Sequence, residues 1–124
     1  MHVVIGGAFA GKRAYIKELY PEAVWIEPGS NIHNTTARKI VITGIESWLR
    51  QGYGYKDFWN WLTQAGEKSN VILIIEEMGQ GIVPIDKEER RLRDENGWIS
   101  QRAVKEAAVV DYIWHGLAQR WKEE

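Results

Sequence analysis

A glycine-rich turn near the amino terminus constrains the fold of this chain more than any other stretch. Residues 6–12 read Gly-Gly-Ala-Phe-Ala-Gly-Lys, the G-x-x-x-x-G-K spacing of a phosphate-binding loop. The apolar run 3–5 precedes the loop, and a helical pattern follows it. Glycines let several backbone N–H groups point at one anion, and the helix adds the positive end of its dipole. The sequence therefore predicts a strand, a phosphate-binding loop and a helix in succession.

The predicted ligand contacts are the residues of this loop and the residue that follows it. Lys12 is a predicted catalytic residue that pairs with the β- and γ-phosphates of the nucleotide. The sequence does not decide whether this nucleotide is ATP or GTP. The predicted nucleotide-binding residues are Gly6, Gly7, Ala8, Phe9, Ala10, Gly11, Lys12 and Arg13. The alternative is a glycine-rich strand-to-helix turn without a ligand.

Arg13 departs from the motif. The residue after the lysine is normally Ser or Thr, whose hydroxyl ligates Mg²⁺. A guanidinium cannot ligate a metal, although it can neutralise phosphate charge. The need for Mg²⁺ is therefore left open, no metal ligand is predicted, and nucleotide binding is better supported than catalysis.

Composition excludes several classes of protein. The 124 residues, 44% of them apolar, predict one nucleotide-binding domain over residues 1–124. A net charge of −1 gives no electrostatic footprint for nucleic acid or an anionic membrane. The absence of cysteine excludes disulfides and thiolate chemistry. The amino-terminal apolar run is too short for a signal peptide and the run 71–75 is too short to span a bilayer, so we expect a cytoplasmic protein.

Apolar runs alternate with helical patterns along the chain. Strands are predicted at 3–5, 23–26, 39–43, 71–75 and 109–114, and helices at 12–19, 56–64 and 86–107. Gly97 marks a potential break in the last helix. Residues 37–49 fit helical spacing as well as a strand followed by a helix, and we favour the strand because it is β-branched and ends at Gly44.

This order predicts an α/β fold of three layers, similar to that of P-loop NTPases, with a mainly parallel sheet. The alternation of Leu117, Gln119 and Trp121 leaves room for a short antiparallel edge strand at the carboxyl terminus. Ligands of such sheets bind outside the carboxyl ends of the strands. The phosphate loop, Thr43-Gly44 and Glu76-Glu77 are predicted to meet there.

Glu77, or Glu76 beside it, is the predicted catalytic carboxylate. It could take a proton from a substrate hydroxyl or orient Mg²⁺ through water. The alternative, which the residues favour equally, is a strand-end carboxylate that caps the next loop. Gly79 and Gly81 in that loop are predicted to bring the main chain close to the ligand.

The stretch from Glu77 to Pro84, continued by residues 90–101, resembles the signature of the adenosylcobinamide kinase / adenosylcobinamide-phosphate guanylyltransferase family of cobalamin biosynthesis. The family's pattern reads roughly E-V-G-x-G-I-V-P, then R-x-F-R-D-x-x-G-x-x-N-Q. The matching residues are Glu77, Gly79, Gly81, Ile82, Val83, Pro84, Arg90, Arg93, Asp94, Gly97 and Gln101. The opening Gly6-Gly7-Ala8 and the segment 44–49 are similar to two further motifs of the family.

The resemblance implies a P-loop domain that assembles as a homo-oligomer and binds a nucleotide and a corrinoid. In the family, a kinase step phosphorylates the aminopropanol hydroxyl of adenosylcobinamide. A guanylyltransferase step then takes GMP from GTP through a phosphohistidine-type intermediate.

Several residues depart from the family's pattern. Arg13 replaces the metal-binding hydroxyl, Thr43 an acidic residue and Ser100 an Asn. The segment that carries the guanylylated histidine is reduced to residues 27–38, in which His33 is the single histidine. Two hypotheses follow: a kinase of weakened activity that has lost guanylyl transfer, or a non-catalytic nucleotide- or corrinoid-binding paralogue that serves as a partner or regulatory subunit.

Overall fold

The computed structural model describes residues 1–32, 36–78 and 86–124. The strands are β1 His2–Gly6, β2 Val24–Ile26, β3 Lys39–Ile42, β4 Asn70–Glu76, β5 Val109–Trp114 and β6 Leu117–Glu123. The helices are α1 Lys12–Leu19, α2 Ile45–Arg50, α3 Tyr55–Gly66 and α4 Lys87–Glu106. Gly79, Gly81 and His33, all singled out in the sequence, lie outside the described residues.

The strands form one sheet in the order β2-β3-β4-β1-β5-β6. All neighbouring pairs are parallel except β5 and β6, which form an antiparallel hairpin at the carboxyl-terminal edge. The central strands β1 and β4 are buried almost throughout, as expected for parallel strands covered on both faces. The predicted α/β class, the mainly parallel sheet and the antiparallel edge strand are confirmed.

The helices cover both faces of the sheet. Val4 of β1 packs with Ile16 of α1 on one face, while Val3 and Ile5 face the larger core formed with α2, α3 and α4. Successive strand residues alternate between the two cores, as the pleat requires. This arrangement confirms the three-layer architecture.

The ambiguous stretch 37–49 divides into β3 and α2, as favoured from the sequence. Gly44 separates the two elements with a φ of 89°, a left-handed conformation that glycine adopts without steric cost. The residues 40–42 are buried in the sheet, and Ile45, Trp48 and Leu49 are buried from α2. A fully buried strand and an amphipathic helix in tandem therefore produced the mixed periodicity.

Helix α4 passes through Gly97 without a break, so the prediction of a potential break at this residue is wrong. Leu92 and Asn96 before the glycine, and Ile99 and Ala103 after it, are all buried. Burial on both sides of Gly97 outweighs the cost of about 1 kcal/mol for a glycine in a helix interior. Because α4 is continuous, Asn96 is held against the end of β4.

Candidate functional site: the phosphate loop and the cavity beside it

The loop between β1 and α1 is fixed by contacts that require glycine. A Cβ on Gly6 would lie 2.6 Å from the carbonyl oxygen of Ile113 on β5, so a side chain at this position would collide with the backbone. Gly11, with a φ of 100°, makes the left-handed turn into α1. The N–H of Gly116 donates to the carbonyl of Ala10 at 2.8 Å. The loop is thereby tied to the β5–β6 turn.

Lys12 is held against this loop. Its side chain is only 8% exposed, and its ammonium donates to the carbonyl oxygen of Gly7. Burial lowers the pKa of Lys12, while the nearby carboxylates of Glu76 and Glu77 act in the opposite direction. A phosphate oxygen is a stronger acceptor than a carbonyl, so an entering anion can take over the ammonium from Gly7.

Arg13 contacts Thr43, so the two positions that depart from the family's pattern are neighbours. The guanidinium Nη2 donates to Thr43 Oγ1 at 3.3 Å across the gap between α1 and β3. Its Cζ also lies 5.5 Å from the ring centroid of Trp25, within cation–π range. Arg13 thus places a cation where the family's pattern has a hydroxyl, and Thr43 places a hydroxyl where the pattern has an acidic residue.

A cavity of about 590 Å³ opens beside the loop. Residues 9–14 form one wall and residues 43–47 the opposite wall, with Ile74, Glu76 and Asn96 completing the lining. None of the described residues of β5 or β6 lines it, so it lies over the ends of β3 and β4. Among the predicted nucleotide contacts, Phe9, Ala10, Gly11, Lys12 and Arg13 line the cavity, whereas Gly6, Gly7 and Ala8 do not.

Glu76 and Glu77 are adjacent in the sequence, but their side chains have different surroundings. Glu76 lines the cavity. Glu77 donates its backbone N–H to the carbonyl of Gly6 at 2.9 Å, and its carboxylate interacts with Tyr112 of β5. Burial first, and the nearby Glu77 carboxylate second, raise the pKa of Tyr112. Of the two carboxylates, Glu76 is therefore the one that lines the cavity, and the catalytic role of Glu77 stays a prediction.

Asn96 is a site residue that the sequence reasoning missed. It lies in the buried stripe of α4, and its Nδ2 donates to the backbone carbonyl of Glu76 at 3.1 Å. The sequence contains a signal for it, because Asn96 is a polar residue in a series of otherwise apolar positions at helical spacing, Leu92, Ile99 and Ala103. Buried polar side chains are uncommon and need partners, which makes such an interruption informative.

In the described ranges, no group of three or more His, Asp or Glu side chains is arranged to hold a metal ion. Among the same residues, no helix is both long and apolar enough to cross a bilayer.

The sequence model of one family, described as cobinamide kinase / cobinamide phosphate guanyltransferase, matches residues 45–121. The match runs from α2 into β6 and includes Glu76, Glu77 and Asn96, while the phosphate loop precedes it. It covers more than half of the chain. No curated protein matches this sequence.

Proposed function

The chain belongs to the cobinamide kinase / cobinamide phosphate guanyltransferase family, and we propose that it binds a nucleoside triphosphate on residues 6–13 and a cobinamide-like alcohol in the adjoining cavity. The observation that carries the proposal is the buried Lys12 in the lining of this cavity. A cavity of about 590 Å³ falls in the range of small-molecule sites. We expect the phosphate chain and the hydroxyl-bearing arm to enter it, with the corrin ring outside.

We propose that residues 1–124 act as one nucleotide-binding domain. The single sheet and the two cores on its faces support this proposal. A homo-oligomer is a further proposal, which rests on the resemblance alone.

Phosphoryl transfer is proposed to be slow in this chain because Arg13 and Thr43 replace groups that hold Mg²⁺. Arg13 can supply positive charge to the phosphates. It cannot bridge the β- and γ-oxygens and fix their in-line geometry as a metal does. The second candidate function, a non-catalytic nucleotide- or corrinoid-binding partner, is favoured by the same Arg13–Thr43 pair. Robust wild-type turnover of adenosylcobinamide in a steady-state assay would exclude this candidate.

The metal dependence of nucleotide binding tests the proposal. We expect the affinity for ATP or GTP, measured by calorimetry, to differ less than about threefold between buffers with Mg²⁺ and with EDTA. The guanidinium of Arg13 carries a permanent positive charge, so the charge beside the phosphates is present without the metal. The Arg13→Ser variant regains the hydroxyl that ligates Mg²⁺ and should bind more tightly with Mg²⁺ than with EDTA. Lys17→Ser is the matched control, since Lys17 contacts the same Trp25 ring at 5.5 Å but does not line the cavity. Wild-type binding that vanishes in EDTA would contradict the proposal.

Guanylyl transfer is proposed to be lost. A covalent GMP carrier needs a nucleophile positioned by a partner group. His2 is buried and bonded to Asp111 and Tyr20, at the amino end of β1 and away from the loop. His115 is exposed in the β5–β6 turn, where its ring contacts Trp114 and, among the described residues, no carboxylate orients it. His33 is the histidine in the segment that corresponds to the family's carrier.

We expect no covalent label after incubation with GTP radiolabelled at the α-phosphate, followed by denaturing electrophoresis. The His33→Ala and His115→Ala variants identify the carrier if a label forms. A label that His33→Ala abolishes would show that His33 is catalytic and that guanylyl transfer is retained.

A further inference from the structure

Asn96 presents an unpartnered acceptor to the cavity. The residue is only 5% exposed, and its Nδ2 is engaged by the carbonyl of Glu76. The amide oxygen Oδ1 has no hydrogen-bond partner among the described residues, yet Asn96 lines the cavity. No fully buried side-chain nitrogen or oxygen atom among the described residues lacks a hydrogen-bond partner, so Oδ1 is accessible from the cavity and free to accept a hydrogen bond from a ligand.

The chemistry of Oδ1 selects the kind of ligand group. An amide oxygen accepts hydrogen bonds and cannot donate them, so it repels phosphate oxygens and attracts an O–H or N–H group. The neighbouring cations are directed elsewhere in the cavity: the Lys12 ammonium to the loop and Arg13 to Thr43. The part of the cavity at Asn96 therefore suits a neutral donor, while the loop suits the phosphates.

We propose that Asn96 Oδ1 accepts a hydrogen bond from the hydroxyl of the alcohol that lies beside the nucleotide, and so orients that hydroxyl. The inference rests on the proposed function, whose two ligands it assigns to opposite sides of one cavity. With its proton directed to Asn96, the hydroxyl oxygen keeps its lone pairs free to face the phosphates held near Lys12. Asn96 is thus a substrate-binding residue that the motif of the family does not contain.

Two substitutions separate this role from simple anchoring of β4. Asn96→Leu removes the acceptor and the donor at similar size, whereas Asn96→Asp keeps an acceptor oxygen and loses the amide donor to Glu76. Adenosylcobinamide is titrated into protein saturated with a non-hydrolysable ATP analogue, and the analogue alone is titrated in parallel. We expect Asn96→Leu to weaken adenosylcobinamide binding at least about tenfold and nucleotide binding less than about twofold. Asn96→Asp should retain the wild-type affinity for adenosylcobinamide within about threefold.

Ser100→Ala is the matched control, because Ser100 lies one turn further along α4, donates to the backbone carbonyl of Asn96 and does not line the cavity. It should leave both affinities unchanged. Asn96→Ser, which shortens the side chain, replaces Asn96→Leu if circular dichroism shows that the leucine variant is unfolded. Equal losses in Asn96→Asp and Asn96→Leu, or no loss in either, would overturn the role of Asn96 while leaving the proposed function intact. Wild-type protein that binds the nucleotide and not adenosylcobinamide would overturn both.

Discussion

Replacing Lys12 by Ala is expected to weaken ATP and GTP binding by roughly 10- to 100-fold, the equivalent of a charge-assisted hydrogen bond of about 1.5–3 kcal/mol. Lys12 is buried and its ammonium is hydrogen-bonded to the loop, so the charge is partly desolvated and already directed before the nucleotide arrives. Its present partner, the carbonyl of Gly7, is a neutral acceptor that phosphate can displace. The loss should appear as a higher dissociation constant in calorimetry.

Lys17→Ala is the control for this experiment. It removes the same charge from the same helix, but Lys17 is exposed and does not line the cavity. Its affinity for nucleotide should stay within about twofold of wild type, because exposed charges at a distance are screened by salt. Equal nucleotide affinity in wild type and Lys12→Ala would contradict the assignment of the phosphate loop.

The fold was predictable because its main elements have local causes. The run 71–75 is apolar on both faces, and the G-x-x-x-x-G-K spacing fixes a strand-to-helix turn, so β4, β1 and α1 follow from short stretches of sequence. The alternation that ends at Trp121 likewise located β6. Where periodicity was mixed, at 37–49, a glycine at the junction decided between the two interpretations.

The site was predicted less completely because its geometry depends on pairs that are distant in the sequence. Arg13 and Thr43 were each recognised as a departure from a motif, but their contact joins residues 30 positions apart. The choice between Glu76 and Glu77 also needed three dimensions, because the cavity that Glu76 lines is formed together with residues of α1, α2 and α4. Asn96 matched no motif, and although it interrupts the apolar stripe of α4, only the structure shows that it lines the cavity.

A buried polar cluster on the α1 face of the sheet was missed for the same reason. The carboxylate of Asp111, 1% exposed, accepts from His2 Nε2 at 2.7 Å, from the Tyr15 hydroxyl at 2.9 Å and from Arg120 Nε at 2.5 Å. His2 Nδ1 is in turn hydrogen-bonded to the Tyr20 hydroxyl at 2.7 Å. The cluster joins β1, α1, β5 and β6, so it ties the strand that precedes the phosphate loop to the carboxyl-terminal hairpin.

Replacing Asp111 by Asn is expected to lower the free energy of unfolding at pH 7 by about 1–3 kcal/mol, the usual cost of leaving a buried hydrogen-bonding group without its partner. The amide has the same shape, but it cannot accept from all three donors, and it leaves Arg120 with Glu123 as its remaining ion-pair partner among the described residues. Urea unfolding followed by circular dichroism measures the loss. Asp94→Asn is the matched control because Asp94 is exposed and pairs only with the adjacent Arg93 among the described residues, so its effect should stay within about 0.5 kcal/mol.

Acid provides an independent test of the same cluster. Burial raises the pKa of Asp111, but the hydrogen bonds from Arg120, His2 and Tyr15 outweigh burial and hold the pKa below its usual value. A carboxylate with a depressed folded pKa stabilises the protein above the unfolded pKa of about 3.9, and this stability is lost as the pH falls through the folded pKa. The stability difference between wild type and Asp111→Asn should therefore be largest at neutral pH and shrink below about pH 4. A difference that is already absent at pH 7, or that is unchanged in strong acid, would show that the charge of Asp111 does not stabilise the sheet.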